Sequence, residues 1–292
     1  MVIYHEEIMK KGFFFGMVFL MIGLGMLPGS VDARRGSLQI KGSDTMVNLA
    51  QAWAERYMEK NTGKFIAVTG GGSGTGFASL INGTCEIAIA SRKMKSKEVQ
   101  LAQKKGIYPK EFKVALDGLA VVVHPDQPIS HLTINQLANI FSGKVENWKD
   151  LGGEDLKIVI LSREVNSGTH VYFKKHVLKN IGSNVEFTPR ALLLPSSQAI
   201  ADEVSQNPSA IGYYGMGYIS KKQKALSIAL NENSGFWPPE VHHVMSGKYP
   251  ISRPLYIYTN GEPTGETKDF LDYVLSDEGQ QIVTEIDFVP IR

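Results

Sequence analysis

The chain has 292 residues, is 43% hydrophobic and 21% charged, and carries 31 Lys and Arg against 29 Asp and Glu for a formal net charge of +2. Near-neutrality, with no Lys/Arg cluster interleaved with aromatics, excludes an electrostatic footprint for nucleic acid. A single cysteine, Cys85, excludes a disulfide scaffold and any multi-cysteine metal site.

Lys10 and Lys11 precede an apolar run from Gly12 to Leu27, followed by Pro28-Gly29-Ser30 and by Val31-Asp32-Ala33, with short residues where a signal peptidase reads. Residues 1–33 are therefore expected to be a signal peptide cut near Ala33, a retained anchor being the alternative. The first seven residues include Glu6 and Glu7 and no Lys or Arg, which is odd for the front of a leader, and Met9 is the more natural start. No cysteine follows the run, so no lipid anchor is indicated. Removing 1–33 takes away two lysines and three acids and leaves a formal charge of +3, still nearly neutral. About 260 remaining residues suit one large domain or two medium ones.

Leu38-Gln39-Ile40 reads as a strand ending in Gly42-Ser43-Asp44-Thr45-Met46, after which Val47, Ala50, Ala54, Tyr57 and Met58 recur at helical spacing up to Asn61-Thr62-Gly63. Phe65 to Thr69 is a second strand, followed by the glycine loop Gly70-Gly71-Gly72-Ser73-Gly74-Thr75-Gly76 and a helix from about Phe77 to Ile81. Glu86 to Ala90 is a third strand, ending at Ser91-Arg92; Cys85 beside it is expected to be a small buried hydrophobe. Leu119 to His124 is an apolar strand closed by Pro125-Asp126-Gln127-Pro128, and Thr133-Ile134-Asn135-Gln136 opens a helix with a capping-box pattern. Leu156 to Leu161 is a strand leading through Ser162-Arg163 into Asn166-Ser167-Gly168-Thr169. Ile211 to Gly215 and Leu255 to Tyr258 are further strands, and the chain closes with helical periodicity. Strands alternating with helices predict a mostly parallel α/β sheet, organised as one block over 37–121, completed by 251–292, and a second over 122–250.

Every Ser/Thr/Gly segment falls at the carboxyl end of a strand, where such sheets bind ligands. Helix N-termini leave unpaired N–H groups and carry the positive end of the dipole, so several that meet make an anion site. Ser43, Thr45, Ser73, Ser167 and Thr169 offer short hydroxyls, Gly74, Thr75 and Gly168 lie in the same loops, and the glycines let backbone N–H groups approach closely. Arg163 either forks onto two oxygens of one anion or pairs with Glu164 on the surface. Asp44 either caps the helix beginning near Met46 or accepts the proton that hydrogen phosphate carries and sulfate lacks, which would favour phosphate. No enzyme pattern is complete. Gly70–Gly76 lacks the Gly-Lys-Ser/Thr of a P-loop and misses the dinucleotide spacing, Ser73 fails the nucleophile-elbow pattern, and His242-His243 lack the i, i+4 spacing of a helical metal site.

Together with Ile140-Phe141-Ser142-Gly143-Lys144 and Asn147-Trp148, the ordered segments Lys41 to Met46, Gly70 to Gly76 and Ser162-Arg163-Glu164 with Asn166 to Thr169 resemble the phosphate-binding proteins of Pst-type ABC importers. The resemblance runs over essentially the whole mature chain. It implies a type II periplasmic-binding-protein fold: two α/β lobes, 37–121 plus 251–292 and 122–250, with a ligand cleft between them and two crossing strands. It also implies a non-enzymatic, monomeric periplasmic receptor that needs no cofactor or metal, captures inorganic phosphate and delivers it to a membrane permease. By position, Thr45 and the Met46 backbone match the first phosphate-binding turn, Ser73 the second, and Arg163, Ser167, Gly168 and Thr169 the third. The family's proton-accepting Asp is replaced by Arg92, after Ser91, and a second acid by Val165. Asp44 must then supply the carboxylate, and Arg92 is expected to add a second cation. Another tetrahedral oxyanion, a phosphate-sensing role and a phosphatase are the alternatives.

Overall fold

Alternation sets the first strand. Leu38, Ile40 and Gly42 are buried while Ser37, Gln39 and Lys41 are half-buried, and this period of two gives β1 (Ser37–Gly42). A computed structural model describes Gly36–Arg292; the expected leader and its cleavage site lie outside the described residues. β1 pairs in parallel with β2 (Phe65–Thr69) and β3 (Ile87–Ala90) through α1 (Val47–Lys60) and α2 (Ser73–Ile81). α1 buries Leu49, Ala50, Trp53, Ala54 and Tyr57 along one stripe.

After α3 (Ser96–Lys104) comes the long strand β4 (Pro109–Val123). Then follow β5 (His131–Thr133), α4 (Ile134–Phe141), β6 (Val159–Arg163), α5 (Gly168–His176), β7 (Leu192–Leu194), α6 (Ser197–Gln206), β8 (Ala210–Gly215), β9 (Lys224–Ala225), β10 (Ser227–Ala229) and α7 (Val241–Met245). The chain ends with β11 (Ser252–Asn260), α8 (Gly265–Leu275) and α9 (Asp277–Glu285). The sheet order is β2-β1-β3-β11-β4-β8-β6-β7, with β9 also on β4. β4 joins its two halves, pairing antiparallel with β11 over residues 109–118 and with β8 over 119–123.

The predicted capping box forms: Gln136 N donates to Thr133 Oγ1 at 3.2 Å and Thr133 N to Gln136 Oε1 at 2.8 Å. Several strand boundaries move. The strand expected over 156–161 begins at Val159, because Trp148 N bonds to Leu156 O and Ile158 N to Glu146 O, so 156–158 pair with a neighbouring loop. The strand expected from Leu119 begins ten residues earlier, at Pro109. Its first half carries exposed Lys110, Glu111 and Lys113, which break the apolar pattern, and only pairing with β11 reveals it. Cys85 is buried as expected, and burial pushes its thiol up to about 12, which leaves it no thiolate at neutral pH. Among the described residues no helix is long and apolar enough to cross a membrane.

Candidate anion-binding site

The Ser/Thr/Gly segments lie at the carboxyl ends of β1, β2, β3 and β6, and the sheet brings them together. Thr45 Oγ1 and Thr169 Oγ1 are 2.8 Å apart, and Arg253 Nη2 donates to Thr169 Oγ1 at 2.9 Å. Ser91 N donates to Ser73 Oγ at 3.0 Å, with the two hydroxyls 3.4 Å apart. Gly168 stands between these pairs: a Cβ there would lie 2.3 Å from Ser73 Oγ and 2.5 Å from Ser91 Oγ. All these side chains are buried, so four hydroxyls and a guanidinium face one another out of bulk water.

The first turn enters this cluster through Gly42. Its φ is +142°, and a Cβ would meet the Ile89 carbonyl at 2.1 Å, so only glycine lets β1 turn here against β3. Ser43 N then donates to Ile89 O at 2.8 Å and fixes the turn.

Several expected ligands are engaged elsewhere. The Met46 N–H donates to Ser43 O at 3.0 Å, closing the turn, and its side chain is in the core. Thr75 is exposed and its hydroxyl donates to Gly71 O at 2.7 Å. Gly74 N donates to Asn166 O at 3.0 Å, and Asn166 Nδ2 returns a bond to Gly71 O at 3.0 Å, which joins the glycine loop to the loop before α5. Ser167 caps α5, accepting from Thr169 N and His170 N. Arg92 was expected to be a second site cation but makes a two-pronged pair with Glu98, Nη1 to Oε2 at 2.8 Å and Nη2 to Oε1 at 2.7 Å. Burial raises the Glu98 carboxyl, but the bonds from Arg92 and Lys95 N outweigh it and hold it below its ordinary value.

Arg163 and Asp44 find each other. Arg163 is buried, which excludes the surface pair with Glu164. Its Nη1 lies 3.2 Å from Asp44 Oδ2 and donates to Ser197 Oγ at 3.1 Å, while Nη2 donates to Pro195 O at 2.8 Å and Nε to Leu194 O at 3.3 Å. The fork therefore closes on protein acceptors. Burial lowers the Arg163 pKa from its ordinary value, with Asp44 opposing. Asp44 makes no cap on its own helix; instead its Oδ2 accepts from Ser197 N at 2.7 Å, at the first turn of α6. Its carbonyl accepts from Tyr218 OH at 2.8 Å.

Arg253 and Asp117 are absent from the sequence-based candidates. They face each other directly in the β11–β4 register. Arg253 Nε and Nη2 donate to Asp117 Oδ2 at 2.9 and 2.8 Å, and Met216 N donates to Oδ1 at 3.1 Å. Burial pushes the Asp117 carboxyl up, with Arg253 opposing. The available signal was an acid inside the apolar run Val114 to Leu119 and a base inside Ile251 to Ile257. Charges interrupting two strands of one sheet mark a buried pair. His242 and His243 do converge with Glu240, their ligand atoms within 4.8 Å of one another, but this group, exposed except for half-buried His243, shares no residue with the hydroxyl cluster.

Comparison with known proteins gives the lineage. A family model described as a PBP superfamily domain matches residues 29–278. The phosphate-binding protein PstS of Pseudomonas aeruginosa is 36% identical over 273 residues, covering 88% of this chain and 83% of that protein. The chain belongs to the PstS family of phosphate-binding proteins. PstS of Bacillus subtilis is 37% identical over 261 residues, covering 88% of this chain and 81% of that one. A Clostridium perfringens phosphate ABC transporter substrate-binding protein, solved with bound phosphate, matches this PstS-family chain with a TM-score of 0.78 at 30% identity, covering 88% of this chain and all (100%) of that one. An ABC-type phosphate transport receptor from Vibrio cholerae matches at 0.68 and 29%, covering 86% and 99%. The α/β fold expected from the resemblance is thus that of the phosphate-binding proteins.

Proposed function

We propose that this PstS-family chain captures inorganic phosphate at the hydroxyl cluster, in a cleft between lobes 37–121 plus 251–292 and 122–250, and delivers it to the permease of an ABC importer. The carrying observation is the convergence of Thr45, Ser73, Ser91, Thr169 and Arg253 in a buried cluster. An oxyanion leaving water needs many donors, because a buried charge without them costs several kcal/mol or more. Hydroxyls can donate to oxygens and also accept the proton of hydrogen phosphate. Arg253 supplies positive charge, balanced beforehand by Asp117. Arg163 serves by holding Asp44 and the start of α6 in place, and Asp44 Oδ1 remains as the acceptor that sulfate could not satisfy.

The chain acts as a monomeric receptor outside the inner membrane, released from its leader near Ala33, and carries out no chemistry on its ligand. Calorimetry with phosphate, sulfate, arsenate and molybdate tests the reading. Saturable phosphate binding with sulfate much weaker is expected. Tight sulfate binding without phosphate binding would sink it, and turnover of a phosphomonoester would make the protein an enzyme. Bound chain that never stimulates ATP hydrolysis by a reconstituted permease would point to sensing instead.

A further inference from the structure

Among the described residues three buried side-chain polar atoms lack a hydrogen-bond partner, and two of them are Arg253 Nη1 and Arg92 Nε. Both side chains line the same cavity, of about 440 Å³. A buried guanidinium N–H without an acceptor is costly, so two beside one cavity mark a place where an acceptor belongs. The cavity shares Ser91 and Arg253 with the hydroxyl cluster, whose other members are sealed from solvent.

Its charge is one-sided. Lys93, Lys95 and Lys175 join the two arginines in the lining, and no carboxylate does. Arg92 is neutralised by Glu98, Lys93 by Glu111 and Arg253 by Asp117. Neither Lys95 nor Lys175 has a carboxylate partner among the described residues, so a surplus of two positive charges remains beside the rings of Tyr172 and Tyr256. Cations set against low-dielectric walls focus field lines and raise the local concentration of anions.

We propose that this cavity is an outer anion subsite that holds a small oxyanion and feeds it inward past Ser91 and Arg253 to the hydroxyl cluster. The inference rests on the phosphate reading above and adds the route by which the ligand arrives. Lys95 and Lys175 attract it by charge, and the free N–H groups of Arg253 and Arg92 give it acceptor-specific contacts at the inner end. Capture is then a two-step event, with an electrostatic first step that salt weakens.

Stopped-flow mixing of the full chain with inorganic phosphate tests this, using K95E/K175E and, as a control of equal charge change, K221E/K222E. All four lysines are exposed, so both variants are expected to fold. K95E/K175E should lower the association rate about tenfold or more and flatten its dependence on ionic strength, with dissociation unchanged and the control within about twofold of wild type. A K95E/K175E rate within about twofold of wild type, or an equal fall in the control, overturns the outer subsite. Failure of wild type to bind phosphate in calorimetry removes the functional reading as well, which keeps the two failures distinct.

Discussion

At the scale of single residues, two buried ion pairs divide the work, and their partners predict different phenotypes. Asp117 and Arg253 are almost fully buried and bonded through two N–H groups, so removing either leaves an uncompensated charge inside the protein. Arg253→Ala or Asp117→Leu alone should cost about 3–5 kcal/mol in denaturant unfolding, and the double change to apolar residues should recover much of it. Equal costs for the single and double changes would show that packing rather than charge sets the stability. Arg253→Ala should also abolish phosphate binding, by removing the donor on Thr169. Asp44→Asn keeps an acceptor for Ser197 N but removes the counter-charge of Arg163 and a pure acceptor. Its phosphate-to-sulfate affinity ratio should fall by a larger factor than its folding constant; an unchanged ratio in calorimetry would show that Asp44 only tethers α6. The hydroxyls of this site were legible in the sequence because each sits in or beside a short Ser/Thr/Gly segment after an apolar run. Arg253 and Asp117 each showed only as a charge inside an apolar run, and that they pair was hidden because residues 136 positions apart have no local spacing to betray it. Arg92 and Arg163 were visible as cations, but their acceptors, Glu98, Leu194, Pro195 and Asp44, are set by tertiary packing.

At the scale of elements, α5 is where the site and the core meet. Gly168 opens this helix against Ser73 and Ser91 with no space for a side chain. Gly168→Ala must push those hydroxyls apart, so phosphate affinity should fall at least about tenfold while stability drops by roughly 1–3 kcal/mol, the range for overpacking. Wild-type affinity in that variant would place the anion elsewhere. Two residues on, His170 is stacked on Phe187 with ring centroids 4.5 Å apart, and burial lowers its pKa from 6.5. The folded chain therefore binds fewer protons than the unfolded chain below that value. The stability this contributes is fully present above about pH 6.5 and is lost as pH falls from there through the folded pKa. Melting temperature should decline over that range in wild type and decline less in His170→Phe, which keeps the ring stack. His176, shifted the same way by burial, preserves a residual slope. An identical slope in both proteins would remove His170 from the account. The capping box that starts α4 could be read from Thr133 and Gln136 because its partners are three residues apart, whereas the first half of β4 could not, since only β11 makes it a strand.

At the scale of the whole molecule, the sheet is completed out of chain order, and this governs how the protein can be made. β11 lies between β3 and β4, so the first four strands to emerge from a ribosome cannot close their sheet until residues 252–260 follow. Trp53 Nε1 bonds to Gly279 O at 2.7 Å, and Leu116 N to Val289 O at 2.8 Å, so α1 and the first half of β4 also wait for these partners until the last residues appear. Contacts of such long sequence separation form slowly, because loop closure must precede them. The growing chain therefore spends its synthesis with the edges of β3 and β4 that β11 will cover still raw, which invites pairing between chains. A fragment ending at Ile251 should aggregate or be digested rapidly by protease; a resistant, monomeric fragment would show that the early strands complete a sheet by themselves.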